Sequence, residues 1–226
     1  MGFRATKERV AALLDGAAPL PDLLSQLAAL PRSQVLKALI AALCHHDEKR
    51  RWRAVAASGP VVAALADEDL EAARVVMRRL MWSLNDESGG IGWGVPEAMA
   101  ECLVHHEALA AEYSHILVSF MREDGFFLEY PPLQRGLMWG LARLAAVRPQ
   151  LLRQKEAPRY LLAYLSSPDP AVRGLAARAL GLLGETAARE PLRALLDRED
   201  TFPFYQDGQI YPRTVGQMAA GALAEL

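Results

Sequence analysis

The residue types best suited to chemistry gather in Met81–Met99, MWSLNDESGGIGWGVPEAM. Gly89, Gly90, Gly92 and Gly94 stand there among Trp82, Trp93 and the acids Asp86 and Glu87, just ahead of a helix that restarts at Pro96. Glycines allow backbone N–H groups to turn toward a ligand, and a helix N-terminus favours an anion. Asp86 and Glu87 argue against a bare phosphate cradle unless a cation intervenes. The segment also lacks G-x-x-x-x-G-K-[ST] and a preceding strand, so it is no nucleotide loop. Read as a site, it is a ligand or partner pocket edged by Trp82, Asp86, Glu87 and Trp93. Read as structure, it is a long turn in which Trp93 plugs the core.

The second group holds zinc-ligand types: Cys44-His45-His46, Cys102-x2-His105-His106 and His115. A His near a helix C-terminus is also favoured by the helix dipole, and Cys44–His46 and Cys102–His106 are expected to close helices on opposite edges of a stack of pairs, so no metal is expected. No G-x-S-x-G elbow is present, and Cys44 beside His45 sits at a helix end, so no nucleophilic triad is indicated. Neither a catalytic residue nor a cofactor is expected. The third group is a set of Arg and Tyr on the second helices of successive pairs: Arg74, Arg78, Tyr113, Arg122, Arg159, Tyr160, Tyr164, Arg189 and Arg193. Arg and Tyr are the composition of protein-binding hot spots. The competing reading is that Arg74 and Arg78 simply bridge acids between repeats.

Composition narrows the classes. The chain is 226 residues, 52% hydrophobic and 23% charged, long enough for a substantial core and unlike a disordered segment. Four of the 25 basic residues are Lys and the other 21 are Arg, against 27 acids, for a net charge of -2. A protein that binds nucleic acid over its whole surface is usually basic, so that class loses weight and only a local Arg-lined groove is left to it. Two cysteines make no disulfide framework, and no N-terminal signal or apolar run of about 20 residues is present. A cytoplasmic protein that does not enter the membrane is expected.

These side chains must be positioned by helices. Asp169–Leu196, DPAVRGLAARALGLLGETAAREPLRALL, opens with Asp as cap and Pro at the first helical position. Val172, Leu175, Ala176, Ala179, Leu180 and Leu183 recur at three- and four-residue steps, and Glu185–Leu196 is expected to return as a second amphipathic helix. Asp47, Arg51, Ala54 and Gly59 repeat Asp169, Arg173, Ala176 and Gly181 at the same spacing, D-x3-R-x2-A-x4-G. Helix Leu133–Ala146 carries Arg135, Trp139 and Arg143 at four-residue steps. In FPFYQDGQIY, Asp207-Gly208 signals a two-residue hairpin turn, and Thr214 should cap a terminal helix.

The unit 169–196 resembles a short HEAT repeat of the kind also found in phycobilin lyases, and the chain looks like the HEAT-repeat proteins of bacteria. That resemblance implies a single all-α domain over 1–226, a right-handed α-solenoid of about five helical pairs with a small β-hairpin near the C-terminus. In such repeats the Asp braces the turn, the Arg pairs with a neighbouring repeat and the small Ala admits close helix approach. Trp82 and Asp86, at W-x3-D spacing, also resemble the HEAT-like alkylpurine DNA glycosylases. There an Asp stabilises an oxocarbenium-like sugar and aromatics line the nucleotide site.

The function expected is a non-catalytic scaffold that binds a protein or peptide through its concave face and the 85–94 loop. A glycosylase acting on alkylated bases and a small-ligand or tetrapyrrole binder are the alternatives. A continuous Arg stripe beside an exposed Trp82 would favour DNA, a mixed face with Trp82 buried would favour protein, and a deep apolar pocket would favour the third.

Overall fold

The computed structural model describes residues 2–84 and 92–226 and resolves into two compact units, 1–109 and 110–226. In the first unit α1 (Phe3–Asp15), α2 (Leu20–Ala28) and α3 (Arg32–Leu43) precede the long α4 (Glu48–Glu68), followed by α5 (Leu70–Leu84) and α6 (Val95–His105). Helix α4 is the hub, touching α1, α2, α3, α5 and α6. The second unit takes in most of α7 (Glu107–Ser119), then α8 (Pro131–Val147), α9 (Pro149–Gln154), α10 (Ala157–Tyr164), α11 (Pro170–Leu182) and α12 (Arg189–Arg193). Strands β1 (Thr201–Gln206) and β2 (Gln209–Thr214) and helix α13 (Val215–Ala224) complete it. Its hub is α11, which packs on α8, α10, α13 and β1. The expected all-α class with a C-terminal hairpin is the one observed.

Both hubs carry the D-x3-R-x2-A-x4-G signature, and its residues do the same work twice. Asp47 and Asp169 cap α4 and α11, accepting from the N–H of Arg50 at 2.8 Å and from those of Ala171 and Val172 at 2.9 and 3.2 Å. Two residues before each Asp, a side chain accepts the N–H of that Asp: His45 Nδ1 at 3.1 Å and Ser167 Oγ at 3.2 Å. The backbone carbonyl of that same residue accepts from the signature Arg, Arg51 to His45 at 3.0 Å and Arg173 to Ser167 at 2.6 Å. The Arg therefore braces the loop that leads into its own helix. Arg173 adds an ion pair to Asp200 at 3.0 Å, and Arg51 one to Glu48 at 3.3 Å.

Ala54 and Ala176 are fully buried, and the glycines mark helix crossings. A Cβ on Gly59 would lie 2.7 Å from the Glu101 carbonyl oxygen of α6, and one on Gly181 would lie 2.5 Å from Ala222 Cα of α13. No side chain larger than hydrogen fits either crossing without moving a backbone.

The hairpin follows its turn signal. Asp207 and Gly208 both have positive φ, 50° and 81°, as a type I′ turn requires, and the strands pair antiparallel from Gln206↔Gln209 to Thr201↔Thr214. Phe202 and Phe204 point inward, and Thr214 caps α13 with the reciprocal Gln217 contact of a capping box. The expected helix over Glu185–Leu196 is corrected: a 3-10 turn at Thr186–Ala188 leads into the five-residue α12. Pro191 suits only the first turn of a helix, which places the start at Arg189, and Arg193 is the last helical residue. Helix α9, started by Pro149, adds an element where the sequence pattern showed none.

Candidate functional site

Among the nominated side chains, Arg122, Arg159, Tyr160 and Tyr164 come together. They line an open groove of about 630 Å³ in the second unit with Met121, Glu123, Asp124, Phe127, Gln134, Ala163, Ser166 and Ser167. That volume lies within the range of ligand and peptide clefts, about 300–1,000 Å³. One wall is the loop after α7. Leu128 N–H donates to the Phe120 carbonyl at 3.1 Å and Gln134 Nε2 to the Leu128 carbonyl at 2.8 Å, so α8 holds the loop in place. The opposite wall is α10, which presents Arg159, Tyr160, Ala163 and Tyr164. Glu156, just before α10, sits in the left-handed region at φ 56° and ψ 24°. That conformation costs a non-Gly residue roughly 1–2 kcal/mol, and such strain concentrates at functional positions.

The electrostatics centre on the Tyr160 ring. The Arg122 guanidinium lies 5.2 Å and the Arg159 guanidinium 5.8 Å from its centroid, both within cation–π range. Arg122 is forked onto Asp124, Nε at 2.9 Å and Nη2 at 2.6 Å, and this pairing holds the Asp124 carboxyl below the usual carboxylate range. Tyr164 donates its hydroxyl to the Met121 carbonyl at 3.0 Å. Burial, helped by the charge of Glu123, pushes the Tyr164 phenol up to about 12, so it stays a neutral donor at physiological pH. The groove thus offers apolar and aromatic walls, fixed donors and one guanidinium engaged internally. Phe127, Gln134, Ser166 and Ser167 were not singled out in the sequence; the Ser166-Ser167-Pro168 turn was the one local signal for them.

The remaining nominated residues lie elsewhere. On α5, Arg74 and Arg78 both reach Glu71, at 3.4 and 2.7 Å, so both are engaged within their own helix. Arg189 donates to the Leu226 carbonyl at 2.8 Å, Arg193 pairs with Glu190, and Tyr113 is partly buried on α7. Trp82 is 75% exposed at the end of α5. Trp93 is 42% exposed, which corrects its reading as a core plug: the N–H of Gly94 bonds the Leu43 carbonyl at 3.0 Å and Gly94 itself packs on Arg51 and Val55, so backbone rather than indole fills that space. Asp86 and Glu87 lie outside the described residues. Among the described residues no group of three or more His, Cys, Asp or Glu is placed to hold a metal, and no helix is long and apolar enough to cross a membrane. A second cavity, about 450 Å³ in the first unit, is walled by Leu24, Leu27, Leu30, Val35 and Val61 and edged by the Arg32–Glu68 ion pair.

Residues 130–203, from the end of the groove loop through α11 to β1, match the family of HEAT repeats. That segment is built of HEAT repeats. No curated protein matches it by sequence. Among solved structures it is similar to an engineered protein at 18% identity and a TM-score of 0.59, with 100% of this chain and 91% of that one covered. A designed armadillo repeat protein in complex with the peptide (KR)4 aligns at 16% identity and a TM-score of 0.60, covering 98% of this chain and 92% of that one. A computationally designed armadillo repeat protein for modular peptide recognition aligns at 16% identity and 0.55 over the same shares. At such identities the likeness carries the repeat fold.

Proposed function

We propose that this protein is a non-catalytic, cytoplasmic scaffold that binds a protein or peptide in the groove around Tyr160. The observation that carries the reading is the stacking of two guanidinium groups on one tyrosine ring, inside a cleft whose walls are fixed by side-chain hydrogen bonds to backbone carbonyls. Aromatic and Arg anchors in a preformed cleft are the anatomy of a binding hot spot, because their rotamers are already restricted before a partner arrives. The designed armadillo proteins with similar folds include one in complex with a peptide and one made for peptide recognition, which supports an extended peptide as the partner. The proposal narrows the concave-face set to Arg122, Arg159, Tyr160 and Tyr164, and leaves Arg74, Arg78 and Arg189 with structural work. A peptide-display selection on the full chain tests it. Selected peptides should lose binding to a Tyr160→Ala variant and keep it with Arg193→Ala, an exposed site outside the groove. Equal binding to both variants refutes the groove.

The exposed Trp82 is the one observation that favours an enzyme acting on a nucleic-acid base. Salt-dependent binding to a short DNA duplex separates that reading from the scaffold, since phosphate contacts weaken steeply as salt rises. No binding at low salt removes it.

A further inference from the structure

The groove around Tyr160 is lined by two arginines and two acids. Its two cations are not equivalent. Arg122 is committed to Asp124 through two hydrogen bonds. The Arg159 guanidinium, exposed in the first turn of α10, has neither hydrogen bond nor ion pair among the described residues. It rests on the face of Tyr160 at 5.8 Å, and its charge reaches Asp124 only through space. A guanidinium carries five donors in a planar fork that matches a carboxylate, and stacking on an aromatic ring orients that fork before a ligand arrives. A basic partner would meet two guanidinium groups at the ring, and the Asp124 carboxylate beside them is already shared with Arg122. The other acid lining the cleft, Glu123, acts on the Tyr164 hydroxyl, and Glu156, just before α10, acts on Arg122.

We propose that the partner is a peptide segment that sets an acidic side chain on Arg159 and an adjacent bulky apolar side chain against Tyr160, Ala163 and Phe127. This rests on the groove being the partner site. The arrangement has an apolar wall and a free fork side by side, so acid and apolar residue are recognised together. Because the charge pair sits at the exposed lip, attraction to it is screened by salt, whereas the apolar contact is not.

The test uses the full chain and three short labelled peptides, alternating Asp–Phe, Asn–Phe and Lys–Phe, read by fluorescence anisotropy at low and physiological salt. The Asp–Phe peptide should bind roughly tenfold more tightly than Asn–Phe at low salt, the order of a charge-assisted hydrogen-bonded pair, and Lys–Phe more weakly than either. Arg159→Gln should bring Asp–Phe and Asn–Phe level, and Tyr160→Ala should weaken both alike. Both side chains line an open surface, and an unchanged thermal midpoint verifies that each variant is folded. Equal binding of Asp–Phe and Asn–Phe to the native chain, or tighter binding of Lys–Phe, overturns the acidic partner while the groove survives if Tyr160→Ala still weakens what binds. Should no peptide respond to Tyr160→Ala, the groove itself fails and the inference with it.

Discussion

Gly181→Ala should destabilise the protein, although the same substitution ordinarily stabilises a helix. Replacing Gly by Ala inside a helix gains about 1 kcal/mol, because Ala loses less backbone entropy. At Gly181 the added methyl would stand 2.5 Å from Ala222 Cα, 2.8 Å from Ala222 Cβ and 2.9 Å from the Ala222 carbonyl oxygen. Carbon atoms pack at about 3.5–4.0 Å, so α11 and α13 would have to separate by close to an ångström along their contact. Overpacking a core by one methyl costs about 1–3 kcal/mol, and the upper end applies because the obstructing atoms belong to a second helix backbone. The net expectation is a loss of about 2 kcal/mol. Gly221, in α13 of the same unit, has nothing within 4 Å of the position a Cβ would take, so Gly221→Ala should show the helix gain alone, up to about 1 kcal/mol. Urea unfolding followed by circular dichroism reads both, as opposite shifts of the midpoint at constant slope. If Gly181→Ala and Gly221→Ala move the midpoint the same way, the crossing is not as tight as described and the account of the repeat glycine is wrong. Gly59→Ala, against the Glu101 backbone, should repeat the loss in the first unit.

Three further outcomes follow from single contacts. Asp169→Ala removes a helix cap and the partner of Arg135 at 2.7 Å, and should cost about 2 kcal/mol in the same assay, of which Asp169→Asn recovers roughly half by restoring the cap. Glu97, buried at the start of α6 with its Oε2 unpartnered, has its pKa pushed up by burial to about 8. A carboxyl raised in the folded state stabilises below its unfolded pKa and loses that contribution as pH rises through the folded value, so stability should fall between about pH 4.5 and pH 8 with a limiting slope near 1.4 kcal/mol per pH unit. Glu97→Gln should flatten that window, and an unchanged slope would remove the assignment. In the hairpin, Pro203 faces Pro212 at a pair whose free N–H positions point outward on both edges, because the pairs alternate from Gln206↔Gln209. A Pro203→Val, Pro212→Val variant should aggregate faster by light scattering while its thermal midpoint stays put, since proline at an edge blocks strand addition.

The hub helices were legible in the sequence because their signals are local. Asp at the cap, Arg four residues on, Ala and then Gly lie on one helix, and each makes its decisive contact within its own loop or at the next crossing. The hairpin was legible for the same reason, since Asp207-Gly208 fixes its turn and register. Helix α12 was not: the apolar spacing of Glu185–Leu196 suits a helix throughout, and the five residues that form one are decided by Pro191 and by the packing of Leu192 against the unit. The groove was half legible. Face periodicity picked out Arg159, Tyr160 and Tyr164, but nothing local reveals that the loop carrying Arg122 folds onto the same ring, 38 positions away by number.

What separates a binding arginine from a structural one is where its fork ends, and that is a tertiary property. Several of the arginines here terminate on backbone carbonyls at loops. Arg53 reaches the carbonyls of Ala18 and Leu13, Arg153 that of Leu183 through two nitrogens, Arg173 that of Ser167 and Arg189 that of Leu226. Helices leave their last four carbonyls without intrahelical partners, and a chain of short helices has many such ends to satisfy. A planar guanidinium can serve a carbonyl and a carboxylate together, as Arg173 does with Ser167 and Asp200, whereas a lysine ammonium has no such fork. These arginines therefore have structural work that needs no nucleic acid to explain it. Arg159, like Arg178 on Phe204 and Arg213 on Tyr211, ends on no carbonyl and no acid among the described residues; of these three it is the one whose ring a second arginine also covers. That unspent fork, beside an apolar wall, is what the proposed acidic peptide is expected to engage.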